Sequence, residues 1–353
     1  PPMTSSSLGI KLDAETQAWT GLLLLRQAQT EAQLGRDPVK TLERAVANLT
    51  RSVERSPKHS RAWQNRGVAW MNLGHARQAR GEDAREEFRR CIADLDRCLE
   101  LDPVSLEALC NRATVRTSLA DAEHARGGEA REVLEQAVAD CDEVIRLDPS
   151  CSTAWMNRAS ARLALSEDHA LKAGDAMGHI DRGIADYGEA IRLCPDVPGI
   201  RLNRALAWMR KWGALVRTGG DGTTASQEAF SDVEAVLEAE PANWLALYNL
   251  GLFYYQLGEP RLAERAVEKA LGVSPGIVPL EQLLQAVRAE AKRRGLLEGP
   301  AWRLLSDRAD RAAGRGDGPT ARRLYEAAIS AGGEEVPAEE AARWKELLGR
   351  LPR

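Results

Sequence analysis

The sequence predicts an all-α solenoid of stacked antiparallel helix pairs, and three observations predict it. Prolines recur at a step of 46 residues, at Pro57, Pro103, Pro149, Pro195 and Pro241, with Pro275 following after 34. Asparagines keep the same step at Asn65, Asn111, Asn157, Asn203 and Asn249. Aromatic residues make up only 5% of the chain and charged residues 28%, a mixture that suits amphipathic helices better than a sheet. A fixed period of this size is the mark of a repeat architecture, in which each unit buries its apolar face on its neighbours.

Taken in order, residues 1–12 read as a disordered N-terminal segment and the solenoid as units 13–57, 58–103, 104–149, 150–195, 196–241 and 242–275. Each unit holds two helices, as in Ser60 to Arg80 and Asp83 to Leu101. Small and apolar residues recur at helical spacing, for example Cys91, Leu95, Cys98 and Leu99. Gly81, Gly127, Gly174 and Gly219 supply the breaks between paired helices, and the proline after each second helix stops it. Thr218 to Ser226, rich in Gly, Thr and Ser, reads as a flexible turn. Residues 276–298 form a linking helix. Residues 299–353 hold a degenerate pair, from Trp302 to Ser330, and a capping helix from Pro337 to Leu351.

The unit from Trp244 to Pro275 carries Leu247-x2-Leu250-Gly251-x2-Tyr254, then Ala263, Val267, Ala270 and Pro275. Trp63-x2-Arg66-Gly67-x2-Trp70, completed by Cys91, Leu95, Cys98 and Pro103, follows the same order. These motifs resemble the tetratricopeptide repeat, and looser versions cover nearly the whole chain. The resemblance implies a right-handed superhelix whose first helices line a concave groove for a peptide or a partner helix. Against the family's 34-residue unit, the 46-residue unit has 12 extra residues, which the simplest account divides equally between the two helices. Arg116 and Arg162 depart from the pattern by standing where the motif is aromatic.

Two sets of residues stand out. Arg66, Arg112, Arg158 and Arg204 each precede an aspartate by 28 residues, at Asp94, Asp140, Asp186 and Asp232. In the unit where the arginine is Leu250 the partner position is Ala266, so both members vanish together. Four structural ion pairs are expected, each bridging the two helices of its own pair or reaching the adjoining pair, because an arginine against a packed surface needs a partner. The second set is a ligand site that the resemblance implies. Asn65, Asn111, Asn157, Asn203 and Asn249 would offer amides to a bound main chain, or else tie neighbouring helices together. The adjoining position grades from polar to apolar through Gln64, Cys110, Met156, Leu202 and Tyr248. One turn on come Met71, Thr117, Leu163, Met209 and Tyr255. Met156, Tyr248 and Tyr255 would then anchor an apolar group, unless they merely pack between units. The family's carboxylate clamp needs groove lysines, which Gln64, Val68, Cys110, Thr114, Met156 and Ser160 do not supply.

Other chemistry finds little support. The six cysteines form no C-x2-C pair, and Cys91, Cys98 and Cys141 fall at core positions. His59, His75, His124, His169 and His179 are scattered, and no catalytic motif contains them. Gly219-Gly220-Asp221-Gly222 lacks the lysine and the preceding strand of a phosphate loop. The net charge of −4 is spread along the chain, unlike the basic stripe of a nucleic-acid binder. No apolar run reaches the roughly 18 residues that a membrane span needs. The expectation is therefore a cytoplasmic, non-enzymatic scaffold for a protein or peptide, with no cofactor, metal, nucleic acid, membrane or small-molecule substrate. A start at Pro1-Pro2 reads as a segment of a larger protein. One alternative is the C-terminal regulatory part of a bacterial signalling protein such as a Ser/Thr kinase; another is a helical-repeat RNA binder.

Overall fold

The structure, a computed structural model, describes residues 5–167, 173–294, 305–306, 309–310, 312–313, 317–332 and 336–351. His169, Trp302 and most of the expected first helix of the degenerate pair lie outside these residues. Among the described residues every regular element is a helix. The chain divides into two compact units, residues 1–196 and 197–353.

The first unit holds four helix pairs: α1 (Ser5–Gln33) with α2 (Val39–Arg55), α3 (Ser60–Ala79) with α4 (Arg85–Leu101), α5 (Leu106–His124) with α6 (Arg131–Leu147), and α7 (Ser152–Leu165) with α8 (Ala173–Leu193). Each second helix packs on the first helix of the next pair, and the first helices also touch one another along one side. The second unit holds α9 (Pro198–Arg217) with α10 (Thr223–Ala239), α11 (Trp244–Gln256) with α12 (Pro260–Val273), the single helix α13 (Val278–Arg293), and then α14 (Gly318–Gly332) and α15 (Ala338–Arg350). This is an α-solenoid, as the periodicity predicts.

The proline punctuation acts through the residue before it. Ser56, Asp102, Asp148, Glu240 and Ser274 end their helices with φ between −144° and −132° and ψ between 60° and 91°. A following proline disfavours the helical region for such a residue. Trp63 and Trp155 fasten two of these corners, donating from Nε1 to the carbonyls of Pro57 at 2.8 Å and Pro149 at 3.0 Å.

Four expectations need correction. The segment 5–12, expected to be disordered, is helical, because no proline after Pro2 interrupts α1 before Pro38. Gly174 is not an interhelix break: it lies in the first turn of α8. Gly81 and Gly127 do serve as breaks, at φ values of +75° and +73° that side chains with a Cβ avoid. The extra residues of the long unit are not shared equally. Comparing α3 and α4 (20 and 17 residues) with α11 and α12 (13 and 14), seven of the twelve lengthen the first helix. Three lengthen the second helix, and two enlarge the turn between them. Finally, the Gly/Thr-rich stretch is an ordered corner, in which Asp221 Oδ1 accepts from the Thr223 amide at 2.9 Å and α10 begins.

The end of the second unit folds back on it. Trp344 and Tyr325 are fully buried in one cluster with Leu262 of α12, and Tyr254 of α11 packs against that cluster. The guanidinium of Arg323 lies 4.2 Å from the Phe230 ring and pairs with Glu234 of α10 at 3.2 Å. Arg265 of α12 donates to the Ala327 and Ser330 carbonyls at the end of α14. The terminal helices therefore lie against α10, α11 and α12.

Burial also settles the state of the thiols. Cys91, Cys98 and Cys141 are buried, whereas Cys110, Cys151 and Cys194 are partly exposed, and all six are free. Burial pushes the Cys91, Cys98 and Cys141 thiols up, and pushes Cys110 up to about 12. Thiolate is the reactive form, so both access and ionisation protect the buried three. Alkylation of the native protein near pH 8, followed by peptide mass mapping, should label Cys151 and Cys194 first. Cys91, Cys98 and Cys141 should stay unlabelled until denaturant is added.

Candidate protein-binding site

The first helices carry both the arginine and the asparagine series, and the arginines are tied down firmly. Each forks onto its aspartate from the facing second helix. Nε and Nη2 reach the two carboxylate oxygens at 2.8 and 2.6 Å for Arg66–Asp94, and at 3.0 and 2.5 Å for Arg112–Asp140. The distances are 3.0 and 2.7 Å for Arg158–Asp186, and 2.8 and 2.6 Å for Arg204–Asp232. All four aspartates are buried. The planar guanidinium matches a carboxylate at two points, which is why arginine rather than lysine suits this place.

The structure adds partners that the 28-residue spacing does not reveal. Arg112 and Arg158 also donate from Nη1 to Asp96 and Asp142 on the preceding second helix, at 2.7 and 2.6 Å. Arg116 and Arg162, standing where Trp70, Trp208 and Tyr254 stand in other pairs, bond to Asp140 and Asp186. One buried aspartate thus serves two arginines in each of the third and fourth pairs. Arg66 and Arg158 lie over the rings of Trp63 and Trp155 at 5.0 and 4.6 Å. These cations are engaged inside the scaffold.

The asparagines do not form a uniform row. Asn157 donates to Thr114 Oγ1 at 2.9 Å and to the Cys110 carbonyl at 3.4 Å, tying α7 to α5. Asn249 is 2% exposed and its Nδ2 has no hydrogen-bond partner among the described residues. By the repeat's own register, Leu206 stands for Asn249 where Thr114 serves Asn157, which removes the side-chain acceptor. Asn157 thus ties neighbouring helices together, and Asn249 lies inside the fold. Asn65, Asn111 and Asn203 are half-buried.

The apolar gradient also ends mostly in packing. Leu163 and Met209 are buried. Met156 is half-buried. Tyr248 and Tyr255 are half-buried against a core that includes Leu280, Leu283 and Val287 of α13.

The open space lies at the other end of the chain. A cavity of about 880 Å³ is bounded by α1, α3 and the turn into α2. Its floor is apolar, with Leu25, Ala28, Leu42, Val68 and Ala76. Its polar edge includes Asn72, His75, Arg26, Arg36 and the ion-paired Asp37 and Arg80. Asp37 Oδ1 also accepts from the Val39 amide at 3.2 Å; this bond, followed by Arg80, holds its carboxyl below the usual range. His75 lies 2.9 Å from Ser118 Oγ through Nε2 and 5.3 Å from the Phe88 ring; burial holds its pKa below the usual imidazole value. No aromatic or charge motif marks these residues. Their one sequence signal is the run of alanines in the residues that lengthen the helices.

Among the described residues no three His, Cys, Asp or Glu side chains converge as a metal-binding cluster, and no helix is long and apolar enough to cross a membrane.

The tetratricopeptide-repeat family model matches residues 226–276, which hold most of α10 with the whole of α11 and α12. That segment is a tetratricopeptide repeat, set in an α-solenoid of paired helices. The solenoid resembles that of a thermophilic TPR protein from Thermus thermophilus, at 17% identity over 63% of this chain and 99% of that one, with a TM-score of 0.46. A tetratricopeptide repeat protein from Parabacteroides merdae is similar at 15% identity over 94% of this chain and 98% of that one, with a TM-score of 0.46. YrrB, described as a TPR protein with an unusual peptide-binding site, gives 16% identity over 66% and 96%, with a TM-score of 0.36. No curated protein matches the chain in sequence. Tetratricopeptide-repeat proteins are generally protein-interaction scaffolds, and the fold is typically non-catalytic.

Proposed function

We propose that this tetratricopeptide-repeat chain is a scaffold or adaptor that grips a segment of another protein, either an extended peptide or a single helix, on the side lined by its first helices. The observation that supports this reading is the cavity between α1 and α3. Its volume falls within the range of about 300–1,000 Å³ common to ligand pockets, and its floor is apolar with a few polar groups at the edge. Asn72 and Gln29 at that edge carry amides that both donate and accept, as a bound main chain requires. Asn65 and Asn111, half-buried in the same unit, are the asparagines we retain as further main-chain contacts. Met156 is the proposed secondary apolar contact of the first unit; Tyr248 and Tyr255 are proposed separately as an apolar contact of the second. Buried cysteines kept as thiols suit a reducing compartment such as the cytoplasm.

The test is selection of a random-sequence peptide library, displayed on phage, against the immobilised full chain. Peptides should be enriched that bind the wild type and lose binding to Ala76→Trp, whose indole would occupy the cavity. Failure to enrich any peptide over the bare support would contradict the reading.

A further inference from the structure

We propose that the turns lengthening α1 and α3 build a receptor for an acidic segment of a partner protein, with an apolar side chain entering the cavity and an adjacent carboxylate held by Arg26 and Arg36. The inference rests on the reading above, that polypeptide binds on this side, and specifies the chemistry of the occupant.

The register locates the cavity. Gly251 of the short pair corresponds to Gly67 and Gly21 in the long ones, so α11, which ends at Gln256, stops at the level of Asn72 on α3 and Arg26 on α1. Both long helices run seven residues past that level, to Ala79 and Gln33. Most of the cavity wall belongs to these residues and the turns that follow them. There Ala28, Ala32, Ala76 and Ala79 face the space. The walls therefore stand apart and leave an apolar recess large enough for a side chain and the residues beside it.

Charge decides between occupants. Three arginines line the cavity, Arg26, Arg36 and Arg80, against one acid, Asp37. Asp37 and Glu82 both bond to Arg80. Arg26 and Arg36 are exposed and form no ion pair with any described residue. They differ in this from Arg66, Arg112, Arg158 and Arg204, whose charges are matched within the scaffold. An apolar recess edged by two uncompensated guanidinium groups complements an apolar residue next to Asp or Glu and repels a basic segment.

Sequencing the peptides enriched by the full chain tests this directly. Apolar residues with Asp or Glu within a few positions should be over-represented. The affinity of such a peptide should fall at least about tenfold between low and high salt, as screening predicts for exposed charges. The double variant Arg26→Glu/Arg36→Glu should reject these peptides and enrich Lys- or Arg-containing ones. Arg26→Gln/Arg36→Gln should reject them without that reversal and serves if the charge-reversed chain does not fold. Enrichment of peptides without acidic residues, or indifference to both variants, would overturn the acidic specificity while leaving peptide binding intact. Retention of a single-stranded RNA oligonucleotide in place of any peptide would overturn both.

Discussion

Replacing Asp140 with alanine is expected to destabilise the third helix pair by about 3–5 kcal/mol, the usual consequence of leaving buried charge without its partner. Asp140 is 4% exposed and accepts from Arg112 and Arg116 together. Its loss strands two guanidinium groups, of which only Arg112 retains another carboxylate, Asp96. Denaturant unfolding followed by circular dichroism would measure the effect. Because stability in a solenoid is set repeat by repeat, the third pair and its neighbours should unfold early.

The pair Arg66–Asp94 offers the contrasting experiment. Burial outweighs its single arginine and raises the Asp94 carboxyl above its ordinary value. A carboxyl whose folded pKa exceeds its unfolded one takes up its proton more readily when folded, so ionisation at rising pH opposes folding at this site. The sixth pair shows the alternative solution, with Leu250 and Ala266 in the two positions. Arg66→Leu or Asp94→Ala alone should destabilise, whereas the double variant should recover most of the loss. Two single losses that simply add would contradict the pairing as the reason for this pattern.

The second large effect is expected at Trp344. Its indole is fully buried among α14, α15 and Leu262, and Nε1 donates to Ser306 Oγ at 3.1 Å. Trp344→Ala should cost about 3–5 kcal/mol through the cavity it leaves. The loss should be local. Hydrogen exchange should quicken in α14 and α15, and in α12 where Leu262 loses its cover, while α3 to α6 remain protected. Uniformly faster exchange along the chain would contradict an independently cooperative C-terminal segment.

The stack is legible in the sequence because proline and asparagine positions mark its period and because an arginine and an aspartate disappear together at Leu250 and Ala266. The cavity is not legible there. Leu25, Ala28, Val68 and Ala76 have the same helical spacing as core residues, and only geometry shows that no described side chain fills the space between them. The apolar gradient points instead to Met209 and Leu163, which the stack buries. Arg116 and Arg162 look like defects in the motif because their partners come from a helix 24 residues away. The equal lengthening of both helices fails because spacing counts residues without saying on which side of a turn they fall.

Hydrogen exchange of the full chain, with and without a peptide selected against it, locates where polypeptide binds. Slower exchange should appear in residues 25–36 and 68–80, flanking the space between α1 and α3. Protection confined to the second helices, or no change at saturating peptide, would contradict binding there.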